Sequence, residues 1–244
     1  MRHKFIKAAV GVRLGAVWLS AVWLGAAQPV FAQSTPGVVV ELYTSQGCSS
    51  CPPADAYLGE LVEQPGVIAL ALHVDYWDYI GWADTFAVAK FTDRQRGYAH
   101  AAGRNMIFTP QMIIAGGESV EGNDPAAVEA AVARAKAAAP AVTLTLARDG
   151  DSVVIRAEAV APMRRASKVQ LVRFRKATLV DIKRGENAGR AITYHNIVTE
   201  WVAVGDWSGT EPLEVQAAAA GDDGVVVIIQ TEGMEGILAA AQLP

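Results

Sequence analysis

The 244-residue sequence holds two cysteines, and both fall in one short stretch, Cys48-Ser49-Ser50-Cys51. That spacing sets the sulfurs one helical turn apart, close enough to form a small disulfide ring. The stretch lies between an apolar, valine-rich run at 38–44 and a helix-forming run at 54–62. A thiol at a helix N-terminus faces unpaired N–H groups and the positive end of the helix dipole, which favour its thiolate. Cys48, the outer residue, is therefore the expected nucleophile, and Cys51 the more buried, resolving thiol. Two other uses stand beside exchange. As a staple, a four-residue loop gains only about 2 kcal/mol, against ~3 kcal/mol for a fifteen-residue loop. As a metal site, the pair supplies two soft ligands where a closed zinc site takes four, with His73 and His100 available to complete it. The spacing suits exchange better than bracing.

The elements around the pair alternate. The runs 38–44 and 67–74 are suited to buried strands, and 54–62 and 84–102 to helices. The pieces 111–115 and 118–120 are strand-like and parted by Gly116-Gly117, a hairpin signal. Asp124 is a candidate N-cap with Pro125 at the first helical position, and an alanine-rich helix follows until Pro140 stops it. The order β-α-β-α-β-β-α predicts an α/β domain over residues 33–140, a mixed sheet flanked by helices. After Pro140 the composition shifts to strands: 142–146, 152–160, 169–174, 197–204 and 225–230, with a last helical piece at 236–242. These predict a smaller β-rich, sandwich-like domain over 141–244.

Residues 1–32 read as a secretory signal peptide. Arg2, Lys4, Lys7 and Arg13 precede an apolar stretch of 14 residues, and Val30-Phe31-Ala32 supplies a cleavage site. The apolar stretch is shorter than the roughly 20 residues of a spanning helix. Removing these four basic residues takes the formal charge from −4 to −8. The expected product is an acidic, periplasmic or secreted protein without a membrane span, in a compartment that permits disulfides. The absence of a basic run argues against nucleic acid as a partner.

Further residues are candidates by position. The run His73-Val-Asp-Tyr-Trp-Asp-Tyr-Ile-Gly-Trp82 leaves the second strand. It is suited either to line a groove beside the cysteines, with Trp77 as a substrate contact, or to pack between domains. Arg184-Gly-Glu-Asn-Ala-Gly-Arg190 is a polar loop whose arginines could clamp a carboxylate, or simply face solvent. It has neither the lysine nor the following helix of a phosphate loop, and no cofactor is expected. Pro52-Pro53 biases Cys51 away from helical geometry, so the helix is expected to begin late.

The run Val39-Val-Glu-Leu-Tyr-Thr-Ser-Gln-Gly-Cys-Ser-Ser-Cys51 resembles the strand–CxxC–helix opening of thioredoxin-like oxidoreductases, and Phe108-Thr109-Pro110-Gln111 resembles their cis-proline loop. The resemblance implies that Thr109 and Pro110 present substrate backbone to the nucleophilic sulfur. It also implies a buried acid in the first strand, a place that Glu41 takes, as acceptor for the Cys51 proton. More narrowly, CSSCPPAD, HVDYWDYIGW and RGENAGR–TYHN resemble a family of exported bacterial proteins known as domain of unknown function 1223. The expectation is an exported thiol-disulfide oxidoreductase acting on protein or peptide thiols and disulfides, with a redox partner protein to regenerate it. The alternatives are a non-enzymatic binding protein with a permanently closed disulfide, and a copper or zinc handler.

Overall fold

The computed structural model describes residues 35–243, so the expected signal peptide lies outside the described residues. Among the described residues no helix is long and apolar enough to cross a membrane. The chain opens with β1 (Thr35–Pro36), β2 (Val38–Thr44), α1 (Pro52–Val62) and β3 (Val67–His73). A 3-10 turn (Asp78–Ile80), α2 (Ala89–Ala101), β4 (Gln111–Ile114), β5 (Glu118–Glu121) and α3 (Pro125–Ala137) follow. The second half contributes β6 (Val142–Asp149), β7 (Ser152–Ala159), β8 (Ser167–Asp181), β9 (Ala191–Trp207), β10 (Leu213–Ala218), β11 (Gly224–Thr231) and β12 (Ile237–Leu243).

The architecture is mixed α/β. Nine strands form one mixed sheet in the order β1-β12-β11-β8-β9-β3-β2-β4-β5, and β10-β7-β6 form a second. β2 runs parallel to β3, and β3 meets β9 in parallel through Ala71 and Ile197. Backbone pairing therefore crosses residue 140, where composition had suggested a boundary, and the two halves share one sheet.

Alternation along the strands assigns the faces. Val40 and Leu42 pack with Ala54, Leu58 and Leu61 of α1 and Val128 and Ala131 of α3. Val39 and Tyr43 turn the other way, against Phe91 and Tyr98 of α2, in a core that continues through Val172, Val226 and Ile228. Val169, Leu171, Val225 and Val227 face the three-stranded sheet through Leu144, Leu146, Val153 and Ile155.

Three local expectations change. α1 begins at Pro52, not later, and Cys51 is helical at φ −79°, ψ −31°. The first turn of a helix leaves its N–H groups unpaired, so two prolines there lose nothing. The second helix begins at Ala89 rather than residue 84, because the Asp84 carboxylate is engaged elsewhere and Val88 is extended, its N–H donating to the His73 carbonyl. Residues 237–243 are a strand, since the free edge of β11 pairs with them from Val225–Leu243 to Gln230–Ile237.

Glu41 on β2 is fully buried and points to the α2 face. It accepts from Arg94 Nε at 2.7 Å and Nη2 at 2.8 Å, from Tyr98 at 2.6 Å and from Tyr43 at 2.9 Å. Arg94 also donates to Gln230 of β11 and lies 3.8 Å over the Trp201 ring of β9. This one guanidinium ties β2 and α2 to strands of the second half. Replacing it by Arg94→Met leaves a buried carboxylate without its cation, and urea unfolding is expected to show a loss of ~3–5 kcal/mol. A change under 1 kcal/mol would count against this assignment of the pair.

Candidate functional site

Beyond β2 the chain turns through Ser45–Gly47 into the disulfide Cys48–Cys51, and α1 starts at the next residue. The turn is held locally by Cys48 N–H to the Ser45 carbonyl at 3.1 Å and Gly47 N–H to Ser45 Oγ at 3.1 Å. Ser50 Oγ lies 3.4 Å from Cys48 Sγ, and Asn123 donates to the Ser50 carbonyl at 2.8 Å. Ser49 and Ser50 are exposed, yet Cys48 is only 1% exposed and Cys51 0%. Cys48 is thus not the open, outer thiol that position alone suggested.

Thr109–Pro110 is a cis peptide, as the resemblance implied. A Cβ at Gly122 would lie 3.0 Å from Pro110 Cβ and 3.1 Å from Ala54 Cβ, so the proline loop, the turn before α3 and the first turn of α1 meet there. Trp77 joins the proline loop to the cysteine loop. Its indole N–H donates to Thr109 Oγ1 at 2.7 Å, and its carbonyl lies 3.3 Å from where a Gly47 Cβ would be. Trp82 donates to Gln46 Oε1 at 2.8 Å.

Linked to the cysteine turn through the Cys51 carbonyl and the Gln46 N–H is a buried polar cluster that sequence reasoning largely missed. Asp55, one turn after Cys51, donates its N–H to the Cys51 carbonyl at 3.0 Å and accepts from the Thr44 hydroxyl at 2.7 Å. Burial pushes its carboxyl up to about 7, against the opposing pull of nearby His73 and of the Thr44 hydroxyl. His73 is fully buried, with Nδ1 2.7 Å from Asp84 Oδ2, an oxygen that also accepts the Gln46 N–H at 2.8 Å. His73, available in the sequence to complete a metal site, is instead engaged by Asp84. Tyr194 of β9 packs edge-on to His73 at 4.9 Å, and burial with the neighbouring Asp55 and Asp84 carboxylates pushes its phenol well up. Among the described residues, Asp55 Oδ2, His73 Nε2, Tyr194 Oη and Asn187 Oδ1 are buried without a hydrogen-bond partner.

Asn187 comes from the loop singled out for its arginines, but it is the asparagine that reaches the site. Its side-chain amide donates to the Gln46 carbonyl at 3.0 Å and the Cys48 carbonyl at 2.8 Å. Arg184 and Arg190 are exposed. Glu41, expected beside Cys51, lies on the opposite face of β2 from α1 with both oxygens bonded. Asp55 was recoverable from spacing alone, because a residue four after Cys51 in a helix shares its face. No sequence signal marks Asn187, whose contacts are 139 and 141 residues away. Among the described residues no three His, Cys, Asp or Glu side chains are grouped to hold a metal ion.

A family model described as "Protein of unknown function (DUF1223)" matches residues 39–230. Among solved structures, the chain is similar to the crystal structure of protein AGR_C_4864 from Agrobacterium tumefaciens. That match has 34% identity and a TM-score of 0.73, over 87% of this chain and 96% of the other. HBP35 of Porphyromonas gingivalis is similar at 15% identity and a TM-score of 0.59, over 88% of this chain and 76% of the other, a likeness of fold alone. No curated protein matches. With its model spanning most of the sequence, including the cysteine loop and the Asn187 loop, the chain belongs to the DUF1223 family.

Proposed function

We propose that this chain is an exported thiol-disulfide oxidoreductase for protein or peptide cysteines, with a thioredoxin-like first half and a sandwich-like second half packed on one continuous sheet. The observation that carries the reading is the closed Cys48–Cys51 pair at a strand–helix junction, with a titratable, buried carboxyl one turn along the same helix. A disulfide needed only as a brace has no use for such an acid, whose burial in charged form costs stability.

Starting from the disulfide, a substrate thiolate attacks Cys48 Sγ. The Cys48–Cys51 bond breaks, and its electron pair leaves on Cys51. Asp55, protonated below about pH 7, is the proton donor to that leaving thiolate. A second substrate thiolate attacks the mixed disulfide, releasing Cys48; the substrate is oxidised by two electrons and the pair reduced. The reverse sequence reduces a substrate disulfide. Thr109 and Pro110 offer the substrate backbone a resting edge, with Trp77 between them and Gly47. The proton role passes from Glu41 to Asp55 because the four donors around Glu41 leave it no free oxygen near Cys51.

The burial of both sulfurs favours a second reading, a permanently closed structural disulfide. A glutathione redox titration paired with trapping by Cys51→Ala in the exported compartment separates the two. The oxidoreductase reading expects a potential above about −300 mV and covalent adducts on Cys48; a lower potential with no adducts overturns it.

Asp55 also fixes a pH dependence. Its carboxyl is raised on folding from 3.8 to about 7, so folding takes up a proton in that window. The associated stability is present below pH 3.8 and lost as pH rises through 7. Asp55→Asn removes that slope, so its urea midpoint is expected to gain on the wild type from pH 4 to pH 8. Parallel profiles for the two proteins would contradict a raised Asp55.

A further inference from the structure

Exchange needs a thiolate to reach a sulfur in line with the disulfide bond, and at 1% and 0% exposure neither sulfur offers that approach. Something beside the pair has to move. The segment 182–190 is a closed turn, held by Gly189 N–H to the Ile182 carbonyl at 2.8 Å, Ile182 N–H to the Arg190 carbonyl at 2.9 Å and Arg190 N–H to the Asn187 carbonyl at 3.1 Å. Arg184, Glu186, Ala188, Gly189 and Arg190 are exposed, whereas Asn187 is 1% exposed and points inward. Its two amide hydrogens go to the Gln46 and Cys48 carbonyls, and the Cys48 carbonyl also takes the Cys51 N–H at 3.3 Å. The contact is therefore with the disulfide ring itself. Gly185, at φ +77°, brings the same loop against Trp82, whose side-chain carbon would lie 3.1 Å from a Cβ there. Trp82 in turn holds Gln46. The loop thus pins the cysteine turn through two neighbouring contacts, one of them a single buried side chain.

We propose that Asn187 is a positioning residue for the exchange reaction: it pegs the Gln46–Cys48 turn, keeps the 182–190 loop shut on the disulfide, and must withdraw before a thiolate attacks Cys48. This rests on the pair being exchangeable, but its test does not require a natural substrate. Withdrawal exposes the Gln46 and Cys48 carbonyls as acceptors. An extended peptide carries the backbone N–H groups to replace the Asn187 amide, whereas a small thiol without an N–H donor does not. Substrates of the open form are thus extended cysteine-bearing segments.

The test is reduction of the full-length exported chain by dithiothreitol under native conditions, followed by thiol alkylation and mass measurement at several low urea concentrations. One dithiothreitol thiolate attacks Cys48 Sγ and Cys51 leaves; the second thiol then closes the reagent's own disulfide and frees Cys48. Asn187→Ala is expected to raise the rate about tenfold or more, since it leaves the closed form with two buried acceptors missing a donor. Its urea dependence should stay shallow, as for a local opening. Glu186→Ala, an exposed change in the same loop, should leave the rate unchanged. A wild-type rate in Asn187→Ala overturns the proposal, and so does an acceleration carrying the steep urea dependence of global unfolding. Should that variant fail to fold, hydrogen exchange of the oxidised wild type serves instead: Ala188, Gly189 and Arg190 are expected to exchange through a local opening with shallow urea dependence, and exchange of these amides only through global unfolding overturns the proposal. Fast reduction in Asn187→Ala without trapped protein partners would count against the proposed function alone.

Discussion

The amide of Asn187 bonded to the carbonyls of Gln46 and Cys48 is the contact that ties the second half of the chain to the cysteine turn. It exists because β9 is laid onto β3 at Ile197 and Ala71, so the hairpin of β8 and β9 carries its tip from the second half of the chain to the cysteine turn of the first. Both sulfurs are buried while the two serines between them stay in solvent. The second half is then part of the site as well as of the sheet, supplying Asn187 over the turn and Tyr194 beside the His73–Asp84 pair.

The two faces of β2 divide the labour. One presents Thr44 to Asp55; the other presents Glu41 to Arg94, which reaches Gln230 and Trp201 and locks the halves together. A carboxylate saturated by four donors is a structural anchor. The Asp55 carboxyl is buried with one oxygen unpartnered, and burial raises it to about 7. Single-residue alternation along one strand separates these roles, which is why a one-residue misjudgement of face exchanges them.

Local patterns in the sequence carried the parts of the fold decided by nearby residues. The valine-rich β2, the capped α3 with Asp124 accepting from Ala127 N–H, the Gly116-Gly117 hairpin and the proline loop all lie where their residue types place them. What was not legible depends on distant partners. The Ile237–Leu243 run is alanine-rich and as fit for a helix as for a strand until β11 offers its edge. Residues 84–88 fail to join α2 because Asp84 is committed to His73 and Gln46. The reach of Asn187 to the cysteine turn arises from a fold-level pairing that no window of sequence contains. The two sulfurs, the proline loop and the place of Asp55 four residues after Cys51 were therefore legible, and the reach of Asn187 was not.

Exchange of a buried disulfide in the folded protein is what the proposed function requires. It is tested most directly by mixing the oxidised chain with an equimolar extended peptide bearing two reduced cysteines, then quenching with acid and counting alkylated thiols on both by mass. Two thiols are expected to disappear from the peptide as two appear on Cys48 and Cys51, and no transfer is expected with Cys48→Ser. A peptide that stays fully reduced beside a fully oxidised chain, at concentrations and times where free glutathione disulfide oxidises the same peptide, would contradict it.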